Sequence, residues 1–319
     1  MPEIVTLGEA LIDFVSMESG VDVKDSPGFI KAPGGAPANV AAGLGRLGVD
    51  VGFIGKVGDD PFGYFLKETL AANGVDTSRM IFEKRARTAL AFVSLRSDGE
   101  RSFSFYRHPS ADMLLEPEEI DEGYIASARI FHFGSITLIS EPSRSATLKA
   151  VEYAEDHGLI ISYDPNLRLN LWETAEEARK QILSTVCLCD IIKVSGEELH
   201  FLTGTQDLGR GGRELLHYGP KMAVVTLGEK GCFFTNGRDD LTAVGLEVQA
   251  VDTTGAGDAF VAALLWGILR EMEKGASMET LPVAVMEGIL KLANKAGAIA
   301  TTRKGAIPAL PKADQLIAP

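Results

Sequence analysis

The chain has 319 residues, 45% of them hydrophobic, enough to bury one large core with a smaller appendage. Its 31 basic and 44 acidic residues leave a formal charge of −13, which argues against a nucleic-acid partner because phosphate backbones attract basic patches. No apolar run reaches the roughly 18 residues a bilayer span needs, and the opening Met1-Pro2-Glu3-Ile4-Val5 lacks a basic segment followed by an apolar one; the expectation is a cytoplasmic protein with no membrane partner.

Apolar, β-rich runs at residues 4–7, 51–57, 130–133, 160–163, 191–194 and 222–227 read as strands. Helix-length segments lie between several of them, at 38–47, 61–73, 144–157, 175–184 and 209–217. This alternation predicts a parallel sheet with helices on both faces, whose ligands gather beyond the carboxyl ends of the strands. Residues 88–95 and 101–107 depart from it. They flank Asp98-Gly99, a hairpin turn signal, and the second arm alternates polar and aromatic residues as a strand with one covered face should. Strand material at 14–17 and 28–31 completes a small β-sheet lid made from two insertions. The expected division is a large α/β domain of residues 1–13, 33–87 and 109–319, with a lid of 14–32 and 88–108.

Cys187, Cys189 and Cys232 have neither zinc nor disulfide-scaffold spacing. Cys187 and Cys189 precede an apolar run and read as reduced core residues. His108, His132, His157, His200 and His217 show no metal-ligand spacing, and none is assigned to catalysis.

The first motif with chemical content is Gly34-Gly35-Ala36-Pro37-Ala38-Asn39, ahead of a helical run. Paired glycines let a small polar ligand approach the backbone, and Asn39 offers a donor and an acceptor to hydroxyl groups; the alternative is an ordinary helix-starting turn. Gly43-Leu44-Gly45-Arg46-Leu47-Gly48 matches the dinucleotide pattern Gly-x-Gly-x-x-Gly but ends a helix and precedes a strand, the reverse of what that fingerprint requires. No P-loop sequence occurs. Arg107 ends the second lid arm beside a hinge, where it either points inward to a ligand or is a solvated strand end.

The strongest motif is Asp252-Thr253-Thr254-Gly255-Ala256-Gly257-Asp258, leading into the apolar Ala259-Phe260-Val261-Ala262-Ala263-Leu264-Leu265-Trp266. Glycines at a helix start expose unpaired N–H donors to a ligand, and the helix dipole favours negative charge there. An aspartate in that position works against anion binding unless it has chemistry to do. Asp258 as acceptor of a hydroxyl proton, with neighbouring amides stabilising a phosphoryl group in transfer, resolves the conflict. A tight turn capped by an acid is the competing account.

The two glycine motifs, in this order, resemble the two signatures of the ribokinase-like (PfkB) carbohydrate kinase family over essentially the whole chain. Gly55-Lys56-Val57-Gly58-Asp59-Asp60-Pro61-Phe62-Gly63 resembles the remainder of the first signature, and Thr226-Leu227-Gly228-Glu229-Lys230-Gly231 the nucleotide-side strand and turn. The resemblance implies a three-layer α/β/α fold with a mainly parallel central sheet and a small β-sheet lid, transferring the γ-phosphoryl of ATP to a primary alcohol of a sugar. It implies Asp258 as base and Gly255, Ala256 and Gly257 as the anion hole. Asp164-Pro165-Asn166-Leu167-Arg168 resembles the Asp-Pro-Asn-x-Arg segment of the fructokinase branch, where the arginine reaches the sugar and the transferring phosphate.

Gly8-Glu9-Ala10-Leu11-Ile12-Asp13-Phe14 is similar to that branch as well, and implies Asp13 as a sugar contact beside Gly34, Gly35, Asn39 and Arg107. On the nucleotide side the resemblance implies Lys193, Thr226, Gly228, Gly231, Gly257 and Asn294. Where many members carry Asn-x-x-Glu for a water-bridged magnesium shell, this chain reads Ser195-Gly196-Glu197-Glu198, leaving Glu198 for magnesium. A monovalent-cation loop, for potassium, matches Asp252, Thr254, Ala300, Arg303 and Gly305. The expected activity is an ATP-dependent fructokinase making fructose 6-phosphate, acting as a homodimer through the lid. The alternatives are a kinase for 2-keto-3-deoxygluconate or ribose, and a sugar-sensing regulator that kept the fold and lost catalysis.

Overall fold

The computed structural model describes residues 1–95 and 101–317; the turn expected at Asp98-Gly99 lies outside them. The chain opens with β1 (Ile4–Leu7), crosses into β2 (Leu11–Ser16) and β3 (Phe29–Gly34), and returns with β4 (Val51–Gly58). Two short strands, β5 (Val75–Asp76) and β6 (Met80–Glu83), precede β7 (Leu90–Leu95) and β8 (Arg101–Tyr106). The second half supplies β9 (Ile130–Gly134), β10 (Ile160–Asp164), β11 (Ile191–Ser195) and β12 (Met222–Thr226). It ends its sheet contribution with β13 (Cys232–Thr235) and β14 (Asp240–Ala243).

The large sheet runs β14-β13-β12-β11-β10-β9-β1-β4-β5, with β6 also beside β4. It is parallel except where β12, β13 and β14 pair antiparallel. Its strands are apolar on both faces because helices cover both. Successive side chains of one strand enter different cores. Ile4, Ile191 and Val224 pack on one side with Ala262, Leu265 and Leu290, while Val5, Ile192 and Val225 pack on the other with Ala150, Ile182 and Leu199. That period of two, with a helix layer on each side, is the physical content of the three-layer α/β/α fold. The strand order reverses around β1, so the chain diverges at the carboxyl ends of β1, β9 and β10 and leaves a crevice there.

The second sheet has the order β3-β2-β7-β8. Its strands begin nearer the large sheet than the apolar pattern suggests: Leu11 pairs with Gly34 and Asp13 with Ala32, so Asp13 lies within β2. One face carries an aromatic cluster, with Phe14 stacked on Phe92 at 5.1 Å and meeting Phe62 edge-on at 5.8 Å. Lys31 adds its ammonium 3.5 Å from the centre of the Phe65 ring. These contacts tie the small sheet to the helix Pro61–Ala72. Asp60 caps that helix and also accepts from the Thr88 N–H and hydroxyl, each at 2.8 Å, ahead of β7.

One cysteine differs from expectation. Cys189 is buried, but Cys187 is exposed, because it is the C-cap of the helix Ala175–Val186 and falls on its outer side.

Candidate active site

The helix Ala256–Glu273 is apolar on nearly every side and buried from Asp258 to Leu269, which anchors its first turn. Gly255 caps it at φ 79°, a left-handed conformation that glycine takes without strain, and a Cβ there would come within 2.7 Å of the Ala306 methyl. Gly257 leaves room in a different way: its missing Cβ would stand 3.2 Å from the Lys193 ammonium. Gly255, Gly257 and Asp258 line a cavity of about 660 Å³. Ala256 is not in its wall, and its N–H is engaged by the Thr253 carbonyl at 3.3 Å.

Asp258 is 6% exposed. Its Oδ2 accepts from Asn39 Nδ2 at 2.8 Å, across 219 residues of sequence. Burial pushes the Asp258 carboxyl up to about 6; the Asn39 hydrogen bond opposes this, Asp164 adds to it, and Lys193 and Arg168 oppose it. The group is therefore ionised at neutral pH yet close enough to titration to accept a proton. Asn39 Oδ1 is buried and has no partner among the described residues. Asn39 lines the same cavity, and an amide oxygen is an acceptor for a hydroxyl.

The glycine pair positions Asn39. Gly34 ends β3 against Asp13, whose Oδ2 fills the space a Cβ would take. Gly35 turns the chain at φ 103° into the helix Ala36–Arg46, with Pro37 in its first turn, where a missing N–H costs nothing. Gly35, Asn39 and Asp13 line the cavity; Gly34 stands behind Asp13.

Opposite them, Lys193 of β11 donates to Asp164 Oδ2, at the end of β10, at 2.8 Å, with both groups buried. Burial would depress the Lys193 ammonium, but Asp164, Glu198 and Asp258 outweigh it and hold it above its ordinary value. Lys193 in turn helps burial depress His132 to about 3, so that histidine is a neutral packing residue bonded to Ser162 at 3.0 Å. Asn166 takes φ 43°, and its N–H reaches back to Asp164 Oδ1 at 3.1 Å. The turn so formed carries Arg168 into the cavity wall, with Nη1 3.1 Å from the Leu167 carbonyl.

Of the remaining expected residues, Asp252, Thr254 and Gly305 also line the cavity, and Arg107, Thr226, Gly228, Gly231, Asn294, Glu198, Ala300 and Arg303 do not. Arg107 is buried against Asp112, with Nε to Oδ2 at 2.7 Å, and does not line the cavity; an acid five residues on captures it. Thr226 ends β12, and Gly228 and Gly231 shape the following turn at φ 62° and 96°. Asn294 is buried and pins the Ala243 and Val244 carbonyls at 2.9 and 3.2 Å. Glu198 accepts from the Leu167 N–H at 2.6 Å and the Ser195 N–H at 2.7 Å, closing a capping box with Ser195. Asp252 accepts from the Thr254 N–H at 2.9 Å and the Gly305 N–H at 2.9 Å, which draws those two segments together; the Asp252 N–H meets the Thr301 carbonyl at 3.0 Å. Ala300 is buried and Arg303 exposed beside them. Among the described residues no cluster of three His, Cys, Asp or Glu side chains forms a protein cage for a metal, and no helix is long and apolar enough to cross a membrane.

Sequence reasoning missed two acids. Asp164 and Glu9 both end or follow apolar strands of the large sheet, and an acid at the carboxyl end of a buried strand is the signal that was present. Glu9 is 2% exposed and lines the cavity.

The family described as pfkB family carbohydrate kinase matches residues 1–313. A probable fructokinase-4 of Arabidopsis thaliana is 55% identical over 309 residues, 97% of this chain and 93% of the relative. The crystal structure of a fructokinase with bound ATP from Xylella fastidiosa superposes with a TM-score of 0.90 at 32% identity, covering 99% of this chain and 98% of that one. A fructokinase double mutant from Vibrio cholerae O395, in its fructose, ADP and potassium ion bound form, superposes with a TM-score of 0.86 at 37% identity, covering 99% and 97%.

Proposed function

The chain belongs to the pfkB family of carbohydrate kinases, and from that premise we propose that it is an ATP-dependent fructokinase, transferring the γ-phosphoryl of ATP to the 6-hydroxyl of D-fructose. One observation carries the reading: Asp13, Asn39, Arg168, Lys193, Gly257 and Asp258 line a single cavity under the small sheet. Asp258 accepts the hydroxyl proton as the attacking oxygen bonds to phosphorus, and ADP leaves with the electrons of the broken P–O bond. The amides of Gly255 and Gly257, the Arg168 guanidinium and the Lys193 ammonium stabilise the equatorial charge. Asp13 and Asn39 Oδ1 accept from sugar hydroxyls. Ala256 supports the hole as the first residue of the helix, and Gly34 by giving Asp13 its space. Arg107 acts on the sugar side only through groups it touches, because Asp112 holds it.

Thr226, Gly228, Gly231 and Asn294 border the nucleotide, the last by fixing the backbone at Ala243 and Val244. Magnesium arriving with ATP supplies charge neutralisation on the phosphates. Glu198 would reach it through water, with the lone pairs its two backbone contacts leave. Potassium fits the carbonyls of Asp252, Thr254, Ala300, Arg303 and Gly305, since the Asp252 side chain already gathers two of these segments. The reading includes a cytoplasmic homodimer joined at the small sheet. Its support is Ile30, 55% exposed and in register with Val15, which pairs in turn with Val93.

A sugar panel under identical conditions tests the assignment. Fructose is expected to give the highest kcat/KM with fructose 6-phosphate as product; a higher value on ribose or 2-keto-3-deoxygluconate overturns it.

A further inference from the structure

Glu9 stands where the chain first crosses from the large sheet to the small one, between β1 and β2. Its Oε1 accepts the Ala36 N–H at 2.8 Å, from 27 residues earlier in the chain. A Cβ on Gly35 would run into the Glu9 carbonyl oxygen, so main chain and side chain of Glu9 both meet the turn at Gly35 and Ala36. Gly35 has no side chain with which to cap the helix Ala36–Arg46. The Glu9 carboxylate does so instead, with the charge sign that the helix dipole favours. The first turn of that helix bears Asn39, which donates to Asp258.

We propose that Glu9 is a positioning residue for phosphoryl transfer: its ionised carboxylate holds the turn at Gly35 and Ala36, and through it keeps Asn39 in register with Asp258. The role also accounts for a buried charge that the fold would be more stable without. Burial pushes the Glu9 carboxyl up to about 7, against its contacts with backbone N–H groups and the Arg107 charge, while Asp112 pushes the same way as burial. Those are the charged groups packed against it; Asp13, Arg168, Lys193 and Asp258 share its cavity. The helix start that carries Asn39 is thus tightened as pH rises through neutrality.

The inference rests on the kinase reading for its rate measurement only, and a spectroscopic measurement stands apart from it. In the wild-type protein, the Ala36 amide resonance, bonded to Glu9, is expected to titrate with a midpoint near 7, and that transition to vanish in Glu9→Gln. For fructose phosphorylation, the ratio of wild-type to Glu9→Gln kcat is expected to be about tenfold at pH 8 and to close towards one below pH 6, with KM moving less; tenfold corresponds to about 1.36 kcal/mol. An Ala36 amide that does not titrate near 7 overturns the proposal, and so does a kcat ratio equal at both pH values, which is what a merely structural residue gives. Should Glu9→Gln fail to fold, the wild-type titration of the Ala36 amide decides. Should the chain not phosphorylate fructose, the sugar assignment falls while the amide titration still decides the role of Glu9.

Discussion

Asn39→Ala separates the base from its neighbour and has a computable consequence. In the wild type the Asn39 amide donates to a buried, ionised carboxylate at 2.8 Å. A hydrogen bond to a charged group is worth about 1.5–3 kcal/mol, and one pH unit corresponds to about 1.36 kcal/mol. The bond stabilises only the ionised form of Asp258, so its loss raises the carboxyl from about 6 by roughly one to two pH units. A coupled assay of ADP release, run from pH 5 to 9 at low fructose, reads the acid limb of kcat/KM directly. That limb is expected to move from near 6 to between about 7 and 8, on top of a lower plateau from the lost sugar contact. A lower plateau with an unmoved limb would refute the reasoning, because Asn39 would then bind sugar without tuning the base.

Glu9→Gln is expected to raise Tm at pH 8 while lowering kcat. Its folded carboxyl, near 7, lies above the unfolded value of 4.5, so the contribution of this one group is fully present below pH 4.5 and is lost as pH rises through 7, by up to about 3 kcal/mol; equal Tm values at pH 8 would contradict this. Gly255→Ala is expected to lower both Tm and activity, because φ 79° strains alanine and its Cβ meets Ala306 at 2.7 Å; differential scanning calorimetry checks it, and an unchanged Tm would speak against that crowding. Asp60→Ala removes four contacts, from the Phe62 and Gly63 N–H groups and from Thr88, and is expected to cost about 2 kcal/mol in urea unfolding. Burial alone would raise the Asp60 carboxyl, but these hydrogen bonds hold it below its ordinary value, so this contribution is present at neutral pH and lost only as pH falls below 3.8. Asp252→Ala is expected to abolish any stimulation by potassium over sodium; stimulation unchanged in that variant would remove the cation loop from the account.

The layers of the fold were legible because apolar strands such as 4–7 and 191–194 leave no room for solvent on either face, and every large-sheet strand expected from pattern is present. β5, β6, β13 and β14 were not: each is two to four residues long, and none has the β-branched run Ile4-Val5-Thr6 that marks β1. At the site, Gly255 and Gly35 could be read from sequence because a backbone that must turn sharply leaves a glycine behind. Asp258 and Asn39 could be read because they follow those glycines at fixed offsets along a helix. Glu9 and Asp164 were harder: each stands at or just after the end of an apolar strand, but their partners, Ala36 and Lys193, lie 27 and 29 residues away, so strand position alone does not say what either acid meets. Glu198 carries a structural contact that its own spacing announces. Ser195-x-x-Glu198 is a capping box by its own spacing, and the side chain makes that contact together with one to the distant Leu167 N–H, which no local pattern shows.

The most direct test of the account is Asp258→Asn, assayed for turnover and for fructose binding by calorimetry. General-base catalysis contributes roughly 10²–10⁴ in rate, and an amide cannot accept the hydroxyl proton. The account predicts a kcat lower by about three orders of magnitude or more, fructose affinity within a few-fold of wild type, and a higher Tm at pH 8 from the loss of a buried charge. Near-normal turnover in a variant that binds fructose would contradict it, and would move the base away from the helix start at Gly255.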